Sequence, residues 1–320
     1  MDSGHRWTLM RGRIAVCACA LLVVAAIAAC RDAGDPYAGC DPYCGGDPPP
    51  PPPPPPVASC SSSDSVEALP GGWPNAPAGF TTISNEPFNA MTEHGWVTLQ
   101  RDTTNGSGAS IESDSSAPDS PPSVLQYMFG IGFQGGHTPG VTYYDLGVPA
   151  KETYFGFWWK SSSPWQNHVA SGVNKLGFLL TRATATDGEI TIIMFNSGGP
   201  YTVQVITEFP PSGEIRRLPP NVTATPVTLG DWHRIEWYVK YSSTPTTPDG
   251  VTQWWLDGVP QGSYSDLKMP ADSGFSEYQL APTWGGTNET KAERDFFCYD
   301  QAYISRPPSG GGASARRQAQ

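Results

Sequence analysis

Apolar and polar side chains alternate most cleanly in residues 231–241. Ile235, Trp237, Val239 and Tyr241 fall on one parity, and Arg234, Glu236, Tyr238 and Lys240 on the other. Successive side chains of a strand point to opposite faces, so this segment is expected to be a half-buried β-strand. A loop rich in Pro and Thr follows at residues 242–250, then the run Val251-Thr252-Gln253-Trp254-Trp255-Leu256. Asp257-Gly258 comes next, a pair that accepts positive φ in a two-residue hairpin turn, and residues 259–264 return as the following strand. Similar patterns predict strands at residues 96–99, 124–132, 141–145, 152–160, 174–181, 189–197, 201–209, 274–284 and 296–305. Residues 102–122 and 210–226 are polar or rich in Pro, and are expected to be loops. There is no internal repeat and no amphipathic helix of useful length. Many short strands between turns predict an all-β sandwich of two antiparallel sheets.

The two ends break this pattern. Arg6, Arg11 and Arg13 precede an apolar stretch at residues 14–29, which is too short to read as an ordinary membrane span. It closes on Ala28-Ala29-Cys30, which resembles a bacterial lipobox. The resemblance implies cleavage before Cys30 and a lipid on that cysteine, with a plain secretory signal peptide as the alternative. Arg31 follows, where enterobacterial lipoproteins retained in the inner membrane carry Asp, so the outer membrane or cell surface is open to it. Residues 30–79 form a tether and an irregular lead-in, with uninterrupted proline from 48 to 56. Polyproline is extended at about 3.1 Å per residue and acts as a spacer. The sandwich is expected over residues 80–306, and the Gly/Ala/Arg-rich tail 307–320 is expected to be disordered.

Composition narrows the function. The net charge is −11, and no Lys/Arg cluster interrupts the predicted sandwich, which argues against nucleic acid as a partner. Four cysteines follow Cys30: Cys40, Cys44, Cys60 and Cys298. Four allow three pairings in an oxidising compartment. The expected one joins Cys60 to Cys298 across the domain and Cys40 to Cys44 within the tether. Tryptophan is abundant at 11 residues. Core packing explains most such rings, and a sugar-stacking platform is the sharper reading of some.

The Trp-His start of one strand and the Leu-Asp-Gly end of the next resemble the concanavalin A-like (laminin G/glucanase) jelly-roll superfamily. Pro164-Trp165-Gln166-Asn167-His168, Gly172-Val173-Asn174-Lys175 and Gln279-Leu280-Ala281-Pro282-Thr283-Trp284-Gly285-Gly286 bring it nearer to the jelly-roll polysaccharide lyases and related bacterial lipoproteins. The Glu-x-Asp-x-x-Glu strand of the jelly-roll glucanases is missing, and with it the carboxylate pair that those hydrolases use. The resemblance implies β-elimination on a uronic-acid glycan. That reaction needs a group to offset the carboxylate, a base for the adjacent proton and an acid for the leaving oxygen.

The expected catalytic residues are His168, in a polar loop, and Lys175, whose burial among apolar residues would fit it for a base. The bland alternatives are a surface histidine and a lysine snorkelling at a sheet edge. Gln126, Gln166, Asn174, Gln279, Trp284 and Arg294 are the expected glycan contacts, with Trp284 as a stacking ring at the groove rim. No cofactor and no metal site is expected; extracellular sandwiches often hold calcium, but no run of oxygen ligands is visible. The reading is therefore a monomeric, lipid-anchored protein of the bacterial envelope that meets a polysaccharide, as a lyase or as a non-catalytic binding or adhesion module. A purely structural envelope role is a third, weaker reading.

Overall fold

The computed structural model describes residues 59–60, 72–181, 188–209, 215–269 and 274–308, all within the unit Pro54–Gln320. The segment carrying Cys30, Cys40 and Cys44 and the tail from 309 lie outside the described residues. Among the described residues, no helix is long and apolar enough to cross a membrane. One 3₁₀ turn (Thr104–Gly106) is the sole helical element among them.

The strands in chain order are β1 (Thr81–Glu86), β2 (Thr92–Glu93), β3 (Trp96–Gln100), β4 (Gly108–Ser113), β5 (Ser123–Phe129), β6 (Gly140–Ala150), β7 (Glu152–Ser161), β8 (Val173–Thr181) and β9 (Gly188–Phe195). They continue with β10 (Thr202–Glu208), β11 (Ile215–Leu218), β12 (His233–Lys240), β13 (Gly250–Leu256), β14 (Val259–Leu267), β15 (Phe275–Leu280), β16 (Thr283–Trp284) and β17 (Asp295–Arg306). All pair antiparallel in two sheets. The first runs β14-β13-β12-β7-β17-β5-β4, with β1 beside the second half of β17. The second runs β11-β10-β9-β8-β15-β6-β3-β2, with β16 beside β8.

Among the described residues, the sheets hold eight and nine strands. β4 and β11 lie in segments expected to be loops, and β1, β2 and β16 have two to six residues. Strands this short, with polar or exposed residues, leave no period-2 signal to read. The Asp257-Gly258 turn has φ of 54° and 81° and joins β13 to β14, as its residues predict.

The core lies between the sheets. Phe155, Phe157, Trp159, Ile235, Trp237, Trp254, Phe297 and Tyr299 meet Trp96, Leu176, Leu179, Ile190, Ile192, Val203, Val205 and Tyr278. These large apolar groups, each worth about 1.5–3 kcal/mol when fully buried, drive the two sheets together. Eight tryptophans (96, 158, 159, 165, 232, 237, 254 and 284) are buried, which corrects the sugar-platform reading for each of them.

The outer face of the first sheet is also covered. Trp73 stacks on Tyr303 with centroids 5.5 Å apart, and it lies where a Cβ on Gly156 would meet its ring at 2.4 Å. Asn75 donates twice to Glu236, through its backbone N and its Nδ2, each at 3.0 Å. Cys60 is joined to Cys298 by a disulfide, and Lys160 donates to the Cys60 carbonyl at 2.6 Å and to Asp114. The outer parity of β12, expected to face solvent in a half-buried strand, is therefore covered over its first half, while Tyr238 is half-buried and Lys240 exposed. Arg234 and Glu236 are buried, because residues far earlier in the chain lie across them.

Candidate functional site

Among the described residues, the outer face of the second sheet has no such cover. Its side chains follow from the pleat. Val141, Tyr143 and Asp145 of β6 point outward while Thr142 points in, and Glu277 and Gln279 of β15 point outward while Tyr278 and Leu280 enter the core. Register brings them together: Gln279 pairs with Tyr143 and Glu277 with Asp145. On the far side of β15, Gln279 pairs with Phe178 and Glu277 with Leu180. Val97 pairs with Tyr143 and Leu99 with Val141.

A groove of about 500 Å³ runs across these strands, lined by Leu99, Arg101, Val141, Tyr143, Asp145, Ser276, Glu277 and Gln279. Its floor is apolar where Val141, Phe178 and Ala281 cluster with Tyr143 and Leu180 packed against them. Gln279 Nε2 donates to Glu277 Oε1, which fixes the amide across the floor. Directly opposed side chains on adjacent antiparallel strands stand about 4.5–5.5 Å apart at Cβ, so Gln279 and Tyr143 reach one ligand together.

Lys175 lies further along the same face. Its Nζ stands 3.3 Å from Glu189 Oε1 and 5.2 Å from the Phe178 ring centroid. Lys175 and Asn174 point to opposite sides as their parities require. Asn174 is fully buried, and Lys175 keeps about a fifth of its side chain exposed. At the end of β3, Asp102 accepts from His137 Nδ1 at 3.0 Å, and the Arg101 backbone donates to the Pro139 carbonyl. Burial opposes ionisation of Asp102, but hydrogen bonds from Thr104 and His137 outweigh it and hold this carboxyl below its usual range.

The three phrases singled out in the sequence do converge, but inside the protein. Trp165 Nε1 donates to Asn174 Oδ1 at 3.2 Å, and Asn174 Nδ2 donates to Asn167 Oδ1 at 3.1 Å. Trp284 Nε1 donates to the Gln166 carbonyl at 2.8 Å. Trp284 is 0% exposed, so it is not a rim ring. His168 is 1% exposed, its ring edge-on to Trp284, and its Nδ1 accepts from Ser171 N at 3.3 Å with Ser171 Oγ 3.0 Å away. A Cβ on Gly285 would stand 1.9 Å from His168 Cγ, and one on Gly135 2.8 Å from its Nε2, so these two glycines make room for the imidazole.

Lys291 sits in the same cluster over Trp165, Trp284 and Phe129, paired with Asp295. Burial lowers its pKa to about 8, against the pull of Asp295. Gln126 is buried and accepts from Cys60 N at 2.9 Å. Gln166 Oε1 accepts from the backbone of Ala292 and Glu293, and Arg294 is exposed on that same loop.

Of the residues expected to meet a glycan, Gln279 and Lys175 lie on the open face. His168, Asn174, Trp284 and Gln126 are withdrawn from it, because burying their rings and amides organises the loops instead. Arg101, Tyr143, Asp145 and Glu277 were not assigned to a site from sequence. A signal for two of them existed: Tyr143 and Asp145 share the parity of Val141, and the polar residue on an otherwise apolar parity marks a half-open face.

No protein-family model matches the chain, and no curated protein matches it by sequence. Solved structures do match. A glucuronan lyase from the fungus Trichoderma reesei superposes with a TM-score of 0.52 at 15% identity, covering 70% of this chain and 95% of that one. An alginate lyase from a Chlorella virus gives 0.52 at 11%, covering 71% and 100%. The alginate lyase Aly36B, as a mutant in complex with an alginate tetrasaccharide, gives 0.51 at 11%, covering 72% and 97%. At this identity the shared property is the fold, and with the two-sheet topology it establishes that the chain is a concanavalin A-like jelly roll.

Proposed function

We propose that the protein acts on a polysaccharide in the groove of its second sheet, and that the reaction is β-elimination on a uronic-acid glycan. The observation that carries the reading is that Arg101, Tyr143 and Gln279 line one groove on the uncovered face. Each meets a requirement of elimination. Arg101 and the Gln279 amide offset the uronate charge and so ease removal of the proton beside it. Tyr143 is the proton carrier: as phenolate it takes that proton, and as phenol it returns the proton to the leaving oxygen when the C–O bond breaks. Lys175 extends the cationic side along the sheet toward further sugar units. The likeness to lyases of glucuronan and alginate supports this choice of chemistry over others on the same fold.

The groove also pairs Glu277 with Asp145, two carboxylates on adjacent strands, and a hydrolase of a neutral glycan would use such a pair. The two chemistries leave different products. Purified protein is incubated with a panel of uronic-acid and neutral polysaccharides, and both ultraviolet absorbance and reducing ends are followed. Absorbance that rises on one uronic-acid glycan and is lost in Tyr143→Phe supports elimination. Reducing ends without absorbance, lost in Glu277→Gln, move the activity to hydrolysis. No product, but retention on a polysaccharide gel that Gln279→Ala weakens, makes the groove a binding site alone.

On the same reading the chain is an exported lipoprotein of the bacterial envelope, a monomer held by a lipid on Cys30 and spaced from the membrane by the prolines at 48–56. The charged start, the apolar run at 14–29 and the Ala-Ala-Cys end support this. Cys30→Ala is expected to move the protein from the membrane fraction to the soluble fraction.

A further inference from the structure

At the edge where the two sheets meet, three side chains outside the groove converge on one point. Glu86 ends β1 in the first sheet, and Glu93 and His94 form the tip of the β2–β3 hairpin at the edge of the second. One donor atom from each lies within 4.8 Å of the other two. The turn is His94-Gly95, with φ of 47° and 89°. Left-handed backbone is uncommon outside glycine, and histidine is one of the residues that adopt it most readily, so the turn places the His94 ring without special strain. The result is an imidazole set between two carboxylates. Nδ1 stands 3.1 Å from Glu86 Oε2, and Nε2 stands 3.5 Å from Glu93 Oε1.

Two features point to a missing partner. The Glu86 side chain is fully buried, and no lysine or arginine pairs with it among the described residues; its other contact is the Phe88 backbone N–H at 2.8 Å. Glu93 Oε2 is buried with no hydrogen-bond partner. A carboxylate oxygen shut from water without a donor is costly, and a bound cation removes that cost. His94 itself is 59% exposed, so an ion has a path in from solvent.

We propose that Glu86, Glu93 and His94 bind a divalent transition metal of the zinc type. Two carboxylates and an imidazole are three ligands, and the exposed side leaves a fourth position to water. Tetrahedral zinc takes this set, with bonds of about 2.0–2.2 Å to N and O. Calcium takes six to eight oxygens and has no use for the imidazole, so it is the weaker ion here. The bound ion joins the end of β1 to the β2–β3 hairpin and so staples one sheet to the other at an edge where β2 contributes two residues of pairing.

The test uses the whole protein, stripped with EDTA and dialysed, titrated with zinc chloride by calorimetry and followed by thermal unfolding. One zinc site with an increase in Tm is expected, with calcium giving a smaller effect at equal concentration. His94→Ala is expected to weaken zinc by on the order of 100-fold, the scale on which metal affinity responds even to loss of supporting contacts. Glu93→Gln, at the hairpin tip, is the second variant should His94→Ala fold poorly, and it is expected to weaken zinc likewise. No zinc binding by the unaltered protein overturns the proposal. So does binding that both variants retain in full, which would place the ion elsewhere, for instance on the cysteines at 40 and 44.

Discussion

The two outer faces of this sandwich make opposite use of the same pleat. On the first sheet the outward residues include Tyr154, Trp158, Lys160, Arg234 and Glu236, all buried beneath residues 59–60, 72–80 and the 114–120 loop. The carboxylates there are matched: Glu236 accepts from Asn75, Tyr154 and Arg234, and Asp300 accepts from Ser120 and from the backbone of Asp119 and Ser120. On the second sheet the outward residues of β6 and β15 open onto a groove with arginine, phenol, amide and carboxylates in reach of one ligand. Strands alone do not separate a structural face from a functional one. What separates them is whether another part of the chain already satisfies the polar groups.

The sharpest way to break this contrast is Glu236→Ala. It removes the carboxylate that faces the buried Arg234 guanidinium and accepts from Asn75 and Tyr154, and is expected to cost about 3–5 kcal/mol, the usual penalty for breaking a buried ion pair. Urea unfolding of the purified protein checks it, and a loss below about 1 kcal/mol would mean that the first face is not sealed. Next in size is the Cys60–Cys298 disulfide, which closes a separation of 238 residues and pins the lead-in to β17. Replacing both cysteines with serine is expected to cost about 2–5 kcal/mol by the same assay.

On the open face the expectation reverses. Tyr143→Phe and Gln279→Ala should each change stability by no more than about 0.5 kcal/mol, as surface substitutions do. The same two variants should lose most glycan turnover. A stability loss as large as that of Glu236→Ala would show that these residues hold the sheet together rather than serve a ligand.

The smallest effect concerns pH. His233 lies between Asp257, 2.7 Å from Nδ1, and the Thr228 carbonyl, 2.9 Å from Nε2. Burial is the largest single influence and lowers its pKa, but Asp257 and that carbonyl together favour the imidazolium and raise it above 6.5. A raised pKa in the folded state stabilises fully below the ordinary value and loses that contribution as pH rises through the folded value. The Tm advantage over His233→Gln should therefore shrink as pH climbs above 6.5, and a pH-independent difference would remove Asp257 as the cause.

The all-β class, the β12–β13–β14 meander and its Asp257-Gly258 turn were legible in the sequence, because alternation and turn chemistry are local. Along β15 the same alternation puts Tyr278 inward and Gln279 outward. Tertiary structure alone decided which strand faces remain open. Arg234 and Glu236 have the pattern of a solvated face, yet Trp73 and Asn75, more than 150 residues earlier, cover them. His168 and Trp284 sit in polar phrases that look like a binding rim, yet Gly285 beside Trp284 makes room for the imidazole inside the protein. Arg101, Tyr143 and Gln279 come from β6, β15 and the end of β3, and only the register of β3, β6 and β15 sets them side by side. Side-chain alternation is a property of neighbouring residues, whereas burial and convergence depend on which distant segments pack across them. That is why the fold could be read from the chain and the site could not.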